Sequence, residues 1–428
     1  MPASESTAAY KDRLEGILSG HREFHRHIVP LCAAETPISD FVRSFLTDEI
    51  HEKYAMGGPL APADDNFIGA EFVIDLHQLT IDLCRDLFGA RYADPRPLSG
   101  TSAVTNLLMA FSEPGQRIML QQAQSGCHAS MEPICRRLGL DIVDIPYDYE
   151  HLQIDPGACR EVAASARPDF VLIAPSDILY PPPLESFGFP ESTIVIYDAT
   201  QTLGLIASAH LPSPLDEHPR VIVSGGTHKT LPGPSCGLLL TQNEEIAMRI
   251  DTEVSPKFVR HSHPHHIAAL CATLIEHRAV GQRYGEKIRE HVKTLSTSLK
   301  AAGVPVVQDG DRISETHQVW FHVPTDSVRA VYQRSLEAGV TLNEKYKRIF
   351  RDGGIRLGVQ EIARYCWAEQ DVENLAGLLA MLVGDEEPVG RLRDQVETMT
   401  ALNVFAPEMT IPPVRTPGSH RPGKFTLT

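Results

Sequence analysis

The sequence has no apolar run approaching the ~20 residues that a membrane-spanning helix needs, so no membrane span is expected. It is short of positive charge. Lys and Arg total 39 against 55 Asp and Glu, a net charge of −16, which argues against a general nucleic-acid binder with its basic face. Its eight cysteines, at 32, 84, 127, 135, 159, 236, 271 and 366, include no Cys-x-x-Cys pair. They read as reduced thiols of a cytosolic protein rather than a disulfide frame. Met1 to Thr7 has neither a basic nor an apolar segment, so no secretory signal is expected and the expected location is the cytoplasm. There is no internal repeat. What remains is an ordinary globular composition, 42% hydrophobic and 22% charged, in 428 residues, long enough for two domains with substantial cores.

One stretch organises the rest: Ser224-Gly-Gly-Thr-His-Lys229-Thr-Leu-Pro-Gly-Pro-Ser-Cys-Gly237. The runs on either side, 219–223 and 237–241, read as short buried strands, which leaves 224–236 as a tight loop. A lysine held there is partly desolvated. Burial disfavours its charged form, lowers its pKa and makes the amine a nucleophile able to form a Schiff base. Upstream, the β-branched run Ile194-Val-Ile-Tyr ends in Asp198, with Gly204 shortly after. An aspartate at the carboxyl end of a parallel strand faces the ligand crevice. Taken alone it would be read as a cap or turn residue. Paired with a loop lysine one strand later, it suits the pyridinium nitrogen of pyridoxal phosphate, which must stay protonated for the ring to act as an electron sink. Leu98-Ser99-Gly100-Thr101-Ser102 opens a helix, and free N–H groups at a helix start favour an anion such as phosphate. Arg356, between Gly354 and Gly358, offers a planar guanidinium that can hold a carboxylate by two parallel bonds. Lys345-Tyr-Lys-Arg348 just before it reads as a solvated charge run.

Thr227-His228-Lys229-Thr230 with Gly233-Pro234, together with the Asp198 to Gly204 segment, resembles the cofactor motifs of serine hydroxymethyltransferases. The resemblance spans about residues 25 to 380. Lys229-Thr-Leu-Pro-Gly-Pro, Thr316-His-Gln-Val319 and Gly354-Ile-Arg-Leu-Gly-Val-Gln360 look closer to the threonine transaldolases, a related branch that does not use folate. The resemblance implies an α/β fold of the fold-type-I pyridoxal-phosphate class. Its large domain has a mainly parallel seven-stranded sheet, and a smaller α/β domain follows. The expected divisions are a helical arm at 1–50, the large domain at 51–285, the small domain at 286–385 and a C-terminal extension at 386–428, in which Phe405 to Thr428 reads as an extended tail. The resemblance also implies roles. Lys229 carries the Schiff base, with Thr227 and His228 beside it at the cofactor. Asp198 meets the ring nitrogen, and His128 stacks on the ring. Ser176 donates to the phenolic oxygen, and Ser99, Gly100 and Thr101 bind the phosphate. Arg356 holds the substrate carboxylate, Glu35 lies near the substrate, and Tyr54 reaches the active site of the neighbouring subunit. A homodimer with shared sites is therefore expected. The histidines at 261, 263, 265 and 266 could hold a divalent ion, but the resemblance sets them near the partner's cofactor phosphate, and no metal is expected.

Several positions depart from the family pattern. Ala34 and Thr36 stand where the family has Ser and Asn, and Met56 stands in place of its catalytic glutamate. A thioether cannot move a proton. Gln201 replaces a histidine three positions after the aspartate, yet is still expected at the cofactor. Phe67-Ile68 replaces a Tyr-Tyr pair, and Pro232 and Ser235 replace two arginines. The expected reaction is folate-independent aldol cleavage or transfer at the Cα–Cβ bond of a β-hydroxy amino acid. The alternatives are β-elimination, or decarboxylative deamination, of an S-substituted cysteine conjugate in specialised metabolism such as antibiotic biosynthesis. A third reading is a catalytically dead cofactor-binding scaffold.

Overall fold

The computed structural model describes residues 6–56, 58, 60, 67, 69–384 and 387–412. Most of the 57–68 segment, Ile68 included, and the Pro-rich stretch from 413 onward lie outside the described residues. Ser6 accepts a bond from the Ala9 amide and starts helix α1 (Thr7–Arg26), every residue of which is exposed. The stretch from Asp40 to Glu52 is not one continuous helix. A short helix, Asp40–Ser44, gives way to two 3₁₀ turns at Phe45–Thr47 and Glu49–Glu52. Between them Asp48 is extended, and its carboxylate caps the Ile50 amide at 3.0 Å, so it starts a new turn rather than continuing the old one. Helix α2 (Ala70–Phe88) follows, ended by Gly89 in the left-handed conformation.

Seven strands form the central sheet: β1 (Tyr92–Asp94), β2 (Arg117–Leu120), β3 (Asp141–Asp144), β4 (Phe170–Ile173), β5 (Ile194–Asp198), β6 (Val221–His228) and β7 (Pro232–Thr241). Their order is β1-β7-β6-β5-β4-β2-β3. The run from β6 to β3 is parallel, whereas β7 is antiparallel to both of its neighbours. β4 and β5 are buried at every position, as strands covered on both faces must be. Alternate residues feed two cores. Met119, Val171, Val195 and Val223 join one, and Leu120, Leu172, Ile196 and Ile222 join the other. Helix α3 (Gly100–Phe111) packs on β6 and β7. Helix α4 (Pro264–Ala301), 38 residues long with Pro at its first position, packs against β7 and α2. Beyond α4, β8 (Gln318–His322), β9 (Asn343–Lys345) and β10 (Gly354–Gly358) make an antiparallel sheet in the order β8-β10-β9.

The loop expected over 224–236 is much shorter. β6 runs through His228 and β7 begins at Pro232, which leaves a turn of only Lys229, Thr230 and Leu231. The Thr227 hydroxyl donates to Pro234 O at 2.7 Å, and Gly226 pairs with Gly237. Glycine and proline here shape a bulged hairpin, with a register shift between Pro232 and Gly237, instead of ending the strands. Among the described residues no helix is long and apolar enough to cross a membrane.

Candidate active site

The parallel strands end on one edge, and their carboxyl ends surround a cavity of about 140 Å³. Ser99, Gly100, Thr101, His128, Ser176, Asp198, Gln201, His228 and Lys229 all line it, with Ala174, Pro175 and Thr200. The parallel order of β2, β4, β5 and β6 explains the convergence, because each strand delivers the residues that follow it to the same side. Lys229 sits on the β6–β7 turn. Its amine makes no hydrogen bond or ion pair among the described residues. Burial pulls its pKa below the ordinary lysine range, against the pull of Asp198, and nearby Arg356 lowers it further. Asp198 ends β5 and is buried. Its Oδ1 accepts from the Thr200 amide at 2.9 Å and the Thr200 hydroxyl at 2.5 Å. The same hydroxyl accepts from the Gly226 amide at 2.7 Å, tying the aspartate to the strand that carries the lysine.

His128 follows β2, with its amide on Ala174 O at 2.8 Å. Burial lowers its pKa, as it does that of His228, which falls to about 4, so both imidazoles are neutral near pH 7. Ser99 caps α3. Its hydroxyl accepts from the Ser102 amide at 3.1 Å, while the Ser102 hydroxyl accepts from the Ser99 amide at 2.9 Å. The Ser99 side chain is therefore committed to the helix start. Gly100 packs so closely that a Cβ there would stand 2.8 Å from Thr200 Oγ1 and 2.9 Å from the Gly226 amide. Gln201 is buried, and its side-chain oxygen accepts from Gln318 Nε2 at 3.1 Å.

Four expected site residues do not line the cavity. Thr227 is fully buried, and its hydroxyl is committed to the hairpin. Glu35 is exposed, and its carbonyl accepts from Gln360 Nε2 at 2.6 Å. Tyr54 is exposed and lies parallel to the His261 ring, 4.5 Å between centroids. Arg356 is buried just behind Ser176. Its Nη1 donates to Ser176 O at 2.7 Å and to Asp177 Oδ1 at 2.8 Å, while Nη2 and Nε donate to Asn343 Oδ1. Its fork is thus largely occupied by the protein's own groups.

Lys345 and Lys347 overturn the expected solvated charge run. Both are mostly buried, and both reach Asp177, at 2.8 and 2.6 Å. Pairing draws them in, because Asp177 is fully buried and its carboxylate needs cations to stay charged. Burial alone would raise its pKa, but Arg356, Lys345 and Lys347 hold it well below the usual carboxylate range. Sequence reading missed Asp177, Thr200, Asn343, Gln318 and the two lysines. The available signal was a charged residue, Asp177, immediately after the fully apolar strand β4 and its Ala-Pro-Ser turn.

The lining residues fit a phosphorylated pyridine aldehyde. They offer a low-pKa amine, a carboxylate at the end of the adjacent parallel strand, and the start of α3, whose Gly100 and Thr101 line the cavity. Buried His228 Nδ1 also has no hydrogen-bond partner among the described residues. Among the described residues no cluster of metal-ligating side chains is assembled, the 261–266 histidines included.

Residues 8–379 match the family model described as serine hydroxymethyltransferase. The serine hydroxymethyltransferase of Methanopyrus kandleri is 32% identical over 392 residues, covering 89% of this chain and 90% of its own. That of Picrophilus torridus is 31% identical, covering 87% and 88%. A crystal structure of L-threonine transaldolase from Pseudomonas fluorescens, in its internal aldimine state, superposes with a TM-score of 0.88 at 25% identity. That match covers 94% of this chain and 93% of the transaldolase.

Proposed function

The chain belongs to the serine hydroxymethyltransferase family and is a pyridoxal-phosphate-dependent enzyme, and from that premise we propose that it breaks and remakes the Cα–Cβ bond of a β-hydroxy amino acid without folate, as a transaldolase or aldolase. The observation that carries this reading is the cavity in which a low-pKa Lys229 faces Asp198 at the carboxyl edge of the sheet. The likeness to a threonine transaldolase over nearly the whole chain supports it. Methionine at position 56, where the family resemblance expects the acid/base glutamate, supports only the folate-independent part of the reading.

Bound pyridoxal phosphate supplies an electron sink for the pair left at Cα. Asp198, held by Thr200, keeps the proton on the ring nitrogen. The amides at the start of α3, where Gly100 and Thr101 line the cavity, would hold the phosphate. Lys229 Nζ, its pKa lowered by burial, would hold the cofactor's aldehyde carbon and, once displaced by the substrate's amine, would be the base that takes the β-hydroxyl proton as the Cα–Cβ bond breaks. His128 presents a neutral ring to the cofactor. Arg356 takes the α-carboxylate by exchanging its Asp177 or Asn343 bonds for those of the substrate. Glu35 and Tyr54 lie away from the cavity of their own subunit, and a homodimer would let Tyr54 and its neighbouring histidines complete the partner's site. The exposed apolar residues of α1, Leu14 and Ile17 among them, suit a dimer as well.

The test is product identification by mass spectrometry. The holoenzyme receives L-threonine and benzaldehyde without tetrahydrofolate in one arm, and an S-substituted cysteine in the other, with Lys229→Ala as control. Acetaldehyde together with a phenyl-substituted β-hydroxy amino acid supports the proposal. Thiol with pyruvate and ammonia, or carbon dioxide with an aldehyde, from the cysteine arm alone would replace it with C–S chemistry or decarboxylation.

A further inference from the structure

Three cations meet on one carboxylate behind the cavity. Asp177 receives Arg356 Nη1 at 2.8 Å, Lys345 Nζ at 2.8 Å and Lys347 Nζ at 2.6 Å. The cluster therefore carries two more positive than negative charges. No second acidic side chain lies within ion-pair distance of these three among the described residues, and neighbouring Glu344 is turned to Arg329 at 2.7 Å. Unbalanced charge that is mostly out of water is costly unless an anion arrives to meet it. The cluster borders the cavity. Lys347 also donates to Cys127 O at 3.0 Å and to Ser176 Oγ at 3.3 Å, and Ser176 lines the cavity beside His128. An α-carboxylate on Arg356 would neutralise one of the two surplus charges and leave one. Lys345 has spare donors for it. An ammonium has three N–H groups, and Asp177 is the one partner of Lys345 among the described residues.

We propose that the reaction at this site takes a second anionic group, a carboxylate or an acid of similar shape, and that Lys345 with Lys347 reads it. The group belongs either to the side chain of the amino acid or to the aldehyde that exchanges with it. The inference rests on the amino-acid reading above, with Arg356 on the α-carboxylate. It assigns a selectivity that neither the family match nor the cofactor motifs contain. The bland reading is that the cluster only bolts β9 and β10 to the end of β4, in which case charge on the substrate is irrelevant.

Both sources of the anion are tested on the holoenzyme. In the first arm, L-threonine and L-threo-3-hydroxyaspartate are titrated against the absorbance of the bound cofactor. In the second, benzaldehyde and 4-carboxybenzaldehyde compete for transfer from L-threonine, read by mass spectrometry. The acid should be preferred in one arm on the order of tenfold or more, the size of one charge-assisted hydrogen bond. The preference should fall toward parity in Lys345→Met and Lys347→Met and persist in Lys345→Arg. Equal or better use of the neutral compound in both arms overturns the inference, as does a preference unchanged by both methionine variants. The wild-type ratio decides even if a methionine variant fails to fold. A cofactor spectrum that responds to L-threonine, with no acid preference in either arm, sinks this inference alone. A spectrum that responds to neither amino acid sinks it together with the amino-acid reading.

Discussion

A buried amine and a buried carboxylate act on each other before any substrate arrives, and the central residues are best read through that interaction. Burial lowers the pKa of Lys229 and Asp198 opposes the shift. Lys229→Ala should abolish turnover and let the cofactor wash out on gel filtration, read as lost absorbance in the protein fraction. Asp198→Asn should keep the fold and lower kcat on the order of a hundredfold, since it removes one preorganised charge. Asp177 makes a sharper case. Asp177→Asn would leave three cations with no carboxylate and should cost about 3–5 kcal/mol of stability at pH 7, measured by urea unfolding. The sign with pH follows from its depressed native pKa. Its stabilising contribution is complete above the unfolded carboxylate range and is lost as pH falls below about 4. The difference between wild type and Asp177→Asn should therefore shrink in acid. Lysine, aspartate and arginine were legible one by one as chemistry. Their pairing with Asp177 was not, because residues about 170 positions apart meet only in the fold.

At the scale of elements, the β6–β7 hairpin and the start of α3 set the distances. Gly100 is the contact between them, with Thr200 Oγ1 and the Gly226 amide closer than any Cβ tolerates. Gly100→Ala must push α3 off β6. That strain is on the order of 1–3 kcal/mol, so cofactor affinity should fall by about tenfold or more, measured by fluorescence titration of the apoenzyme. Gly204 is under tighter constraint still, because a Cβ there would stand 2.0 Å from Thr230 O, beside Lys229. The sequence marked Gly100 as an anion-site residue and Gly204 only as the glycine that follows Asp198. It did not mark them as spacers between elements, since close approach depends on what packs opposite. The same limit explains the hairpin. Gly225-Gly226 and Pro232-Gly233-Pro234 carry turn chemistry, yet pairing of β6 with β7, Gly225 to Leu238, Gly226 to Gly237 and His228 to Pro232, keeps both segments in the sheet.

At the scale of the whole molecule, burial of histidine sets the acid limit. His277, His291 and His317 are fully buried, and burial lowers their pKa values to about 4, about 3 and about 3. In the unfolded chain each takes up its proton near pH 6.5, so between there and about pH 4 the unfolded state binds more protons. These three groups lower stability as pH drops through that window by up to ~4 kcal/mol per pH unit, His228 adds to the fall, and Glu361, pushed up to about 7 by burial, opposes it by about one group's worth. Urea midpoints at pH 7, 6 and 5 test this, and His291→Gln should flatten the slope by about a third. The parallel order β6-β5-β4-β2-β3 is a property at this same scale, of which only a mainly parallel sheet was expected. It carries His128, Ser176, Asp198 and Lys229 to one edge without any local contact among them.

The sequence by itself determined the class of chemistry. Apolar β-branched runs make strands wherever they are buried, helices between them force right-handed parallel connections, and residues just past such strands share one edge. From that follow the positions of the lysine, the aspartate and the helix start at one edge; the place of the histidine came from the family resemblance. Only the tertiary structure decided which charges are spent. It turned Thr227 into a hairpin bond, gave Arg356 an internal carboxylate, and drew Lys345 and Lys347 out of solvent onto Asp177. The physical reason is that a charge's cost and use depend on the dielectric and the partners around it. Those are set by strands β4, β9 and β10 coming together, which no local stretch of sequence contains.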